Sequence, residues 1–515
     1  MVGQLPEKVK IEKALNTFTI PKAFHEHSGL HAQSSGDIVL FCRDAFHRQF
    51  LFIKDRVIKA GKFGWILGTP GTGKSSTAFA FLTTLDRDEW VITWLQLDKY
   101  GNCQGLRFNG MTKSTVHFPC ITKPEDLEKY LAAECGDKMH FVIIDGLYGS
   151  GDIFYLSFCT LWFKSDMTMR RLVFISSTAT RVQGNLDEEK KYQTEEHRVH
   201  SWELFEFQSA ADEEVFFRTI EQNLDSGINL LTNAGVARTV TRAEMIVSKF
   251  HFSGGSCRYM FGYPTAEVLR NIDDSLAFAG DIAQYIEGTL GNRSRSVVNR
   301  LIGSSHNQQS KTTTYSILSD FAAGEIATKM GPALIRVLAS AVSSSGNPTF
   351  TGGFFEMEFF AALSHTGVCL QCKDGTNFHW TKSNYSKLDP GNAGTVSFHP
   401  TERVWLKPLI WNLGGYDAVF IDVQAKFVQF VQVTTAHKHT FKIEYFWQFM
   451  DQLKHSHQTD KINIVFLVPL AQLNSFSITS VTGEGLLGLF QTPLGQVWVK
   501  SKEKELVQIV ASCPA

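Results

Sequence analysis

The run Gly68-Thr69-Pro70-Gly71-Thr72-Gly73-Lys74-Ser75 fits the pattern G-x-x-x-x-G-K-[ST] at every position, and Ser76 extends the same turn. Glycines at this spacing let backbone N–H groups turn inward around phosphate oxygens, and the helix that follows adds the positive end of its dipole. Lys74 is then placed to reach the β- and γ-phosphates of a nucleoside triphosphate, and the Ser75 hydroxyl to ligate Mg²⁺. Asp145 closes the apolar run Phe141-Val142-Ile143-Ile144, where a carboxylate would hold the same ion from a neighbouring strand.

The residue that would position the attacking water is not evident. Many such nucleotide hydrolases carry a Glu directly after this Asp, whereas Gly146 stands here. Ser176, Ser177 and Thr178, at the end of a later apolar run, are candidates to sense the γ-phosphate. Arg258, within Gly254-Gly255-Ser256-Cys257-Arg258, is a candidate to reach the phosphates from a distant segment.

A second constellation lies near the C-terminal end. Glu356 falls on a helical pattern, Asp417 lies at the start of the strand-like Tyr416–Asp422, and Gln432 lies in Phe427–Thr434, which could form a hairpin with it. Two carboxylates and an amide oxygen brought together would hold Mg²⁺ and a water for in-line attack on a phosphodiester. Lys438, His439 and Lys442 follow closely and would stabilise developing charge or orient that water. The arrangement resembles the PD-(D/E)xK nuclease core, with two departures: Gln432 replaces an acidic residue and Thr434 stands where the lysine is usual. Lys438 or Lys442 would then take the lysine's place.

These residues need elements to hold them. Helical spacing of apolar residues recurs over 40–60, a strand-like run precedes the glycine turn at 64–67, and a helix follows it. Strands are expected at about 90–98, 140–146 and 171–178, with a helix opened by Pro124 between the first two. Strands alternating with helices imply a parallel sheet with helical crossovers. From about 210 to 330 the pattern is largely helical, and it ends in a spacer centred on Ser343-Ser344-Ser345. The expected organisation is a helical segment over 1–55, an α/β core over 56–210, a helical lid and linker over 211–345, and a second α/β domain over 346–515.

The chain has 515 residues, 43% hydrophobic and 20% charged, with a formal net charge of -1. Without a global basic field, nucleic-acid contact must come from local patches, of which Lys438, Lys442 and Lys454 are candidates. The nine cysteines lack a regular spacing and fit reduced thiols better than a disulfide framework. Cys369 and Cys372 have the CxxC spacing with His379 nearby, but no second ligand pair follows for zinc. The first residues show no signal-peptide pattern, and no run is long enough to span a membrane.

Beyond single motifs, the chain resembles the Crinkler-type effectors of oomycetes and fungi, related to retrotransposon-hot-spot proteins of trypanosomes. The stretches carrying the resemblance are WILGTPGTGKS, VIIDGLYG, SWELFEF, FSGGSCRYMFGYPTAEV, FFEMEFFAAL and GGYDAVFID with FVQFVQVTTAHKHTFKIEYF, from about residue 60 to about 470. The resemblance implies a P-loop NTPase with an AAA+/STAND-like parallel sheet and helical lid, followed by a restriction-endonuclease-like domain. It assigns Lys74, Ser75, Asp145 and Arg258 to ATP or GTP with Mg²⁺. It assigns Glu356, Asp417, Gln432, Lys438 and His439 to Mg²⁺-dependent cleavage of double-stranded DNA. By kinship the expected setting is secretion and action in a host nucleus, with host nuclear proteins as further partners. The secretion signal and ubiquitin-like header with a Leu-Phe-Leu-Ala-Lys motif, usual in such effectors, are not found in these residues. Two other readings stay open: a signalling NTPase whose C-terminal nuclease fold is inactive and binds DNA or protein, and a nucleotide-binding switch without turnover.

Overall fold

The computed structural model describes the chain except for 1–2, 10–15, 31–35, 99, 120–123, 133–135, 148–152, 178–193, 225–240, 279–300, 308–311, 332–334, 336–349, 410–414, 484–489, 500–501 and 513–515. The chain forms two compact units: Met1–Leu224 with Phe252–Ser319, and Asp225–His251 with Asp320–Ala515. The second unit thus takes in Asp225–His251 and resumes at Asp320 rather than near 345, because helix Asp320–Met330 packs beside helix Phe350–His365 in that unit.

The first unit is built on an eight-stranded sheet. Its elements begin with β1 (Gly3–Gln4), β2 (Thr17–Ile20), β3 (Ile38–Phe41) and helix α1 (Asp44–Leu51), which continues to Lys59 with wider π-helical turns. Then come β4 (Phe63–Leu67), α2 (Lys74–Leu82), β5 (Trp90–Leu97), β6 (Cys103–Asn109), β7 (Thr112–Phe118) and α3 (Pro124–Ala132). They are followed by β8 (Met139–Leu147), α4 (Ile153–Ser165), β9 (Arg170–Ser176) and β10 (Thr194–Arg198). Strand order is β1-β7-β6-β5-β8-β9-β4-β10, and β5, β8, β9, β4 and β10 run parallel. The central strands are buried on both faces, as helix-covered parallel strands must be. One layer joins Ile66, Phe79, Trp94, Phe141 and Ile143; the other joins Trp65, Leu95, Ile144, Phe163 and Phe174.

Two parts of this unit differ from the expectation. The 1–55 segment is not helical throughout, since β2 and β3 pair antiparallel before α1 begins. The polar stretch after β5 is the β6–β7 hairpin, extending the parallel sheet with antiparallel strands. Asn109-Gly110 at its tip, with Gly110 at φ +54°, is a hairpin signal that the sequence carried. The stretch that follows comprises α5 (Leu204–Asp212), α6 (Glu214–Ile220), α7 (Arg242–Ser253), which up to His251 belongs to the second unit, α8 (Cys257–Gly262), α9 (Thr265–Phe278) and the hairpin β11 (Ile302–Asn307) with β12 (Thr312–Ile317).

The second unit contains α10 (Asp320–Met330), α11 (Phe350–His365), β13 (Val368–Cys372), β14 (Asn377–Trp380), β15 (Tyr385–Leu388), β16 (Arg403–Pro408), β17 (Ala418–Asp422) and β18 (Phe427–Val433). After these come β19 (Lys438–Lys442), α12 (Glu444–Leu453), β20 (Lys461–Pro469), β21 (Ser477–Thr482) and β22 (Gln508–Ser512). A mixed eight-stranded sheet runs β14-β13-β22-β20-β18-β17-β16-β15. Within it β16, β17 and β18 form an antiparallel meander, and β20 lies parallel to β18 after the α12 crossover. One face packs under Phe446, Phe449 and Met450 of α12, the other under Phe359, Phe360 and Leu363 of α11. Among the described residues no helix is long and apolar enough to cross a membrane.

Candidate functional sites

The glycine turn sits where β4 hands over to α2. Gly71 and Gly73 hold φ +78° and +93°, the left-handed region that closes a backbone cradle, and Gly73 directly precedes α2. Lys74 folds back into the loop: its Nζ donates to the carbonyls of Gly68 and Thr69, both at 2.8 Å. Burial pushes its pKa down to about 8, against the opposing pull of Asp145. Ser75 Oγ donates to Asp145 Oδ1 at 2.9 Å. Burial pushes Asp145 up to about 6, opposed by the Ser75 hydroxyl and by Lys74. A buried lysine and a buried carboxylate, each shifted towards neutrality, describe a site built for an anion and a cation it does not itself supply. Ser75 and Asp145 would hold Mg²⁺, and Lys74 with the loop N–H groups would hold the phosphates.

Gly146 has a local reason. The register between β8 and β9 shifts between Asp145 and Leu147, and Gly146 takes φ +89° at that bulge. A glutamate there would be strained, so this backbone disfavours an acidic residue next to Asp145. Ser176 Oγ donates to Leu147 O at 3.3 Å and Ser177 O at 3.2 Å, tying together the strand ends. Thr178 lies outside the described residues.

Arg258 lies beside the loop. It lies in the first turn of α8, where the Ser256 hydroxyl accepts from Tyr259 N and the Cys257 N–H donates to Gly71 O at 2.8 Å. The Arg258 side chain is exposed, is close enough to lower both Lys74 and Asp145, and lines the same cavity of about 400 Å³ as residues 70–77 and Asp145. The same cavity is also lined by Leu40, Phe41, Phe216, Ile220 and Phe261. A phosphate loop and apolar side chains lining one cavity suit a nucleotide.

Sequence reasoning missed the support beneath the loop. Arg43, buried, donates to Thr72 O at 3.1 Å and His200 O at 2.7 Å, pairs with Glu206 at 2.8 Å, and lies 4.8 Å over the Trp202 ring. Gln49 Nε2 donates to Lys74 O at 2.8 Å. The stretch Ser201–Phe207 therefore holds the loop from outside. Nothing in the local pattern around Arg43 announces this, since every partner is distant in sequence.

In the second unit Glu356, Asp417 and Gln432 come together, on α11, just before β17 and on β18. Asp417 Oδ2 accepts from Gln432 Nε2 at 2.8 Å and from Val433 N at 2.6 Å. Burial, and then Glu356, hold the Asp417 carboxyl well above the usual range; the Val433 N–H and Lys407 oppose them. Lys407, on β16, pairs with Glu356 at 3.4 Å and lies 4.4 Å over the Phe360 ring. Burial pushes Lys407 down, yet Glu356, Tyr385 and Glu325 outweigh it and its pKa is raised. Asp320 is pushed up to about 6 by burial and by Glu356, and buried His251 is driven down to about 3 by burial and by Lys407.

Lys438 and His439 are not brought to these carboxylates. After Gln432 the chain turns at Thr434, whose hydroxyl accepts from Ala436 N at 3.2 Å, and leaves the eight-stranded sheet. Both residues lie on β19, which pairs with β21 in a separate two-stranded sheet. Lys438 is exposed, and the His439 ring packs edgewise against Phe466 with Nδ1 at 2.8 Å from Thr440 O. Neither is hydrogen-bonded or ion-paired to Glu356, Asp417 or Gln432. The cation at the cluster is Lys407, which sequence reasoning missed because it precedes Asp417 by one strand of the meander. Gln432 Oε1 is buried without a partner. With Glu356 and Asp417 it makes an all-oxygen set that suits Mg²⁺.

Among the described residues no group of three or more His, Cys, Asp or Glu side chains is arranged to hold a metal. Cys369 and Cys372 are free thiols on β13, and His379 faces Cys369 across the strand pair. Lys442 lies over Tyr445 at 5.9 Å, and Lys454 pairs with Asp451 within one helical turn.

No family model and no curated protein matches this chain. Among solved structures it is similar to S. cerevisiae Hsp104 in its ADP complex, at 10% identity and a TM-score of 0.27, over 53% of this chain and 35% of that one. It is similar to Drosophila ORC bound to DNA at 12% identity and a TM-score of 0.26, over 57% of this chain and 88% of that one. A Thermotoga maritima RuvB variant gives 13% identity and a TM-score of 0.25, over 65% of this chain and 89% of that one. The α/β fold and its parallel-rich sheet stand on the strand pairing above, independently of these likenesses.

Proposed function

We propose that the first unit binds and hydrolyses a nucleoside triphosphate with Mg²⁺, and that the second unit is a metal-dependent DNA endonuclease controlled by that nucleotide. The observation that carries the first half is the convergence of Lys74, Ser75, Asp145 and Arg258 on one cavity that apolar side chains also line. Bound there, Mg²⁺ would neutralise charge between the phosphates. Lys74 would exchange its two carbonyl partners for phosphate oxygens, and Arg258 would approach from α8.

For the second half, support comes from Glu356, Asp417, Gln432 and Lys407 gathered at one end of an antiparallel meander flanked by α11 and α12. The meander β16–β18, packed on α11 and followed through α12 by the parallel strand β20, accords with the restriction-endonuclease-like reading. Mg²⁺ would supply an activated water and shield the phosphodiester. Glu356, Asp417 and Gln432 Oε1 would hold it, and the Lys407 ammonium would face the developing negative charge. The resemblance of the sequence to Crinkler-type effectors would extend the proposal to host nuclear DNA as target.

One observation favours a second reading, in which the nuclease fold is inactive and only binds DNA or protein. Gln432 spends its amide N–H₂ on Asp417, as in a closed structural hydrogen bond. Incubating the purified chain with plasmid DNA and Mg²⁺, with and without ATP, beside Asp417→Ala and Lys74→Ala, separates the readings. Nicking by wild type that is lost in Asp417→Ala supports the nuclease, and loss in Lys74→Ala shows that the nucleotide site drives it. Phosphate release without nicking moves the second reading ahead.

A further inference from the structure

The hydrolysis reading lacks a group to orient the attacking water, because Gly146 occupies the place where a glutamate would follow Asp145. We infer that Gln96 supplies this function, as a positioning residue on the adjacent strand; the inference rests on the nucleotide-hydrolysis reading of the same site.

Gln96 is the penultimate residue of β5, which pairs in parallel with β8, and its register partner is Asp145. Neighbouring strands lie about 4.8 Å apart, so the two residues start from adjacent points at the same sheet edge. Residues two apart share a face, so Gln96 follows Ile92 and Trp94, and Asp145 follows Phe141 and Ile143. All four of those apolar residues belong to the core layer that also contains Phe79 and Phe81 of α2. Gln96 and Asp145 therefore emerge on the face that carries the phosphate loop. Both line the cavity shared with Lys74, Ser75 and Arg258.

The amide is also held. Gln96 Nε2 donates to Gly29 O at 3.3 Å, and Oε1 lies against the Gly29 α-carbon, so a turn of the side-chain amide would be needed to present Oε1 to a water. Gly29 takes φ +72°, and a Cβ built there would fall 1.3 Å from Gln96 Oε1. Only glycine at position 29 leaves room for the amide where it lies.

An amide is not a base at neutral pH, which sets the chemistry. Oε1 would accept a hydrogen bond from a water and aim its oxygen at the γ-phosphorus. The water oxygen forms the new P–O bond. The bond from the γ-phosphorus to the β–γ bridging oxygen breaks, and its electron pair stays on the nucleoside diphosphate. The water proton passes to a γ-phosphate oxygen. No further reactant is needed.

The test uses the full chain with Mg-ATP and Mg-GTP, reading steady-state phosphate release and, separately, the Kd of a fluorescent nucleotide. Gln96→Ala should lower kcat by about 10²-fold, with KM and nucleotide Kd within about twofold of wild type. Gln96→Glu should keep turnover and gain a pH profile that rises as the new carboxylate ionises, which a merely structural role would not produce. Wild-type kcat in Gln96→Ala overturns the inference and leaves the hydrolysis reading intact, and so does a loss of kcat matched by a loss of nucleotide binding. Nucleotide binding by wild type with no phosphate release overturns both together.

Discussion

Arg43 and Glu206, 163 positions apart in the chain, form an ion pair at 2.8 Å beneath the phosphate loop. Both side chains are largely buried, and the guanidinium spends its remaining donors on the carbonyls of Thr72, His200 and Ser201. Removing one partner leaves the other charge buried without compensation, which costs about 3–5 kcal/mol. Arg43→Met and Glu206→Leu should each lower stability in urea by about that amount, and the double variant should lose less than the sum of the two. Additive losses would show that the pair is not coupled.

The pH dependence of nucleotide binding follows from Asp145. Its folded pKa, about 6, is raised above the usual 3.8, so its stabilising contribution is present below 3.8 and is lost as pH rises through about 6. A Mg-nucleotide requires the ionised form and relieves that loss. The gain in Tm on adding Mg-ATP should therefore grow between about pH 5 and about pH 7, and Asp145→Asn should flatten the profile. A gain that does not change over this range would count against Asp145 as the magnesium-holding carboxylate.

Two glycines of the loop should respond differently to alanine. Both hold positive φ, which costs a residue with a Cβ about 1–2 kcal/mol. At Gly73 nothing lies within 4 Å of an added Cβ, so strain is the whole effect. At Gly71 the Cβ would fall 2.1 Å from Ser256 Oγ and 3.3 Å from Arg258 Cβ. Gly71→Ala should thus displace α8 and weaken nucleotide binding more than Gly73→Ala does, as read by nucleotide titration. Equal losses would mean that α8 does not bear on the loop in this way.

Lys407, not Lys438, should matter for phosphodiester cleavage. If the second unit nicks DNA, Lys407→Met should reduce the rate by about 10²-fold or more, as for other groups that face developing charge. Lys438→Ala and His439→Ala should stay within a few-fold of wild type. The reverse ranking would restore the residues on β19 to the site.

The amino-acid sequence by itself determined the phosphate loop, the strand that ends in Asp145, the approach of Arg258 and the hairpin joining Asp417 to Gln432. In each case the information is local: glycines at fixed spacing, an apolar run closed by a carboxylate, alternation that ends at a turn. It did not reveal the clamp of Arg43 on the loop, the entry of Lys407 into the carboxylate cluster, the departure of Lys438 and His439 onto another sheet, or the pairing of Gln96 with Asp145. Those depend on strand order and register, which bring together residues tens to hundreds of positions apart. Tertiary structure decided them, because a side chain's spacing along the chain says which face of its strand it occupies and not which strand lies beside it.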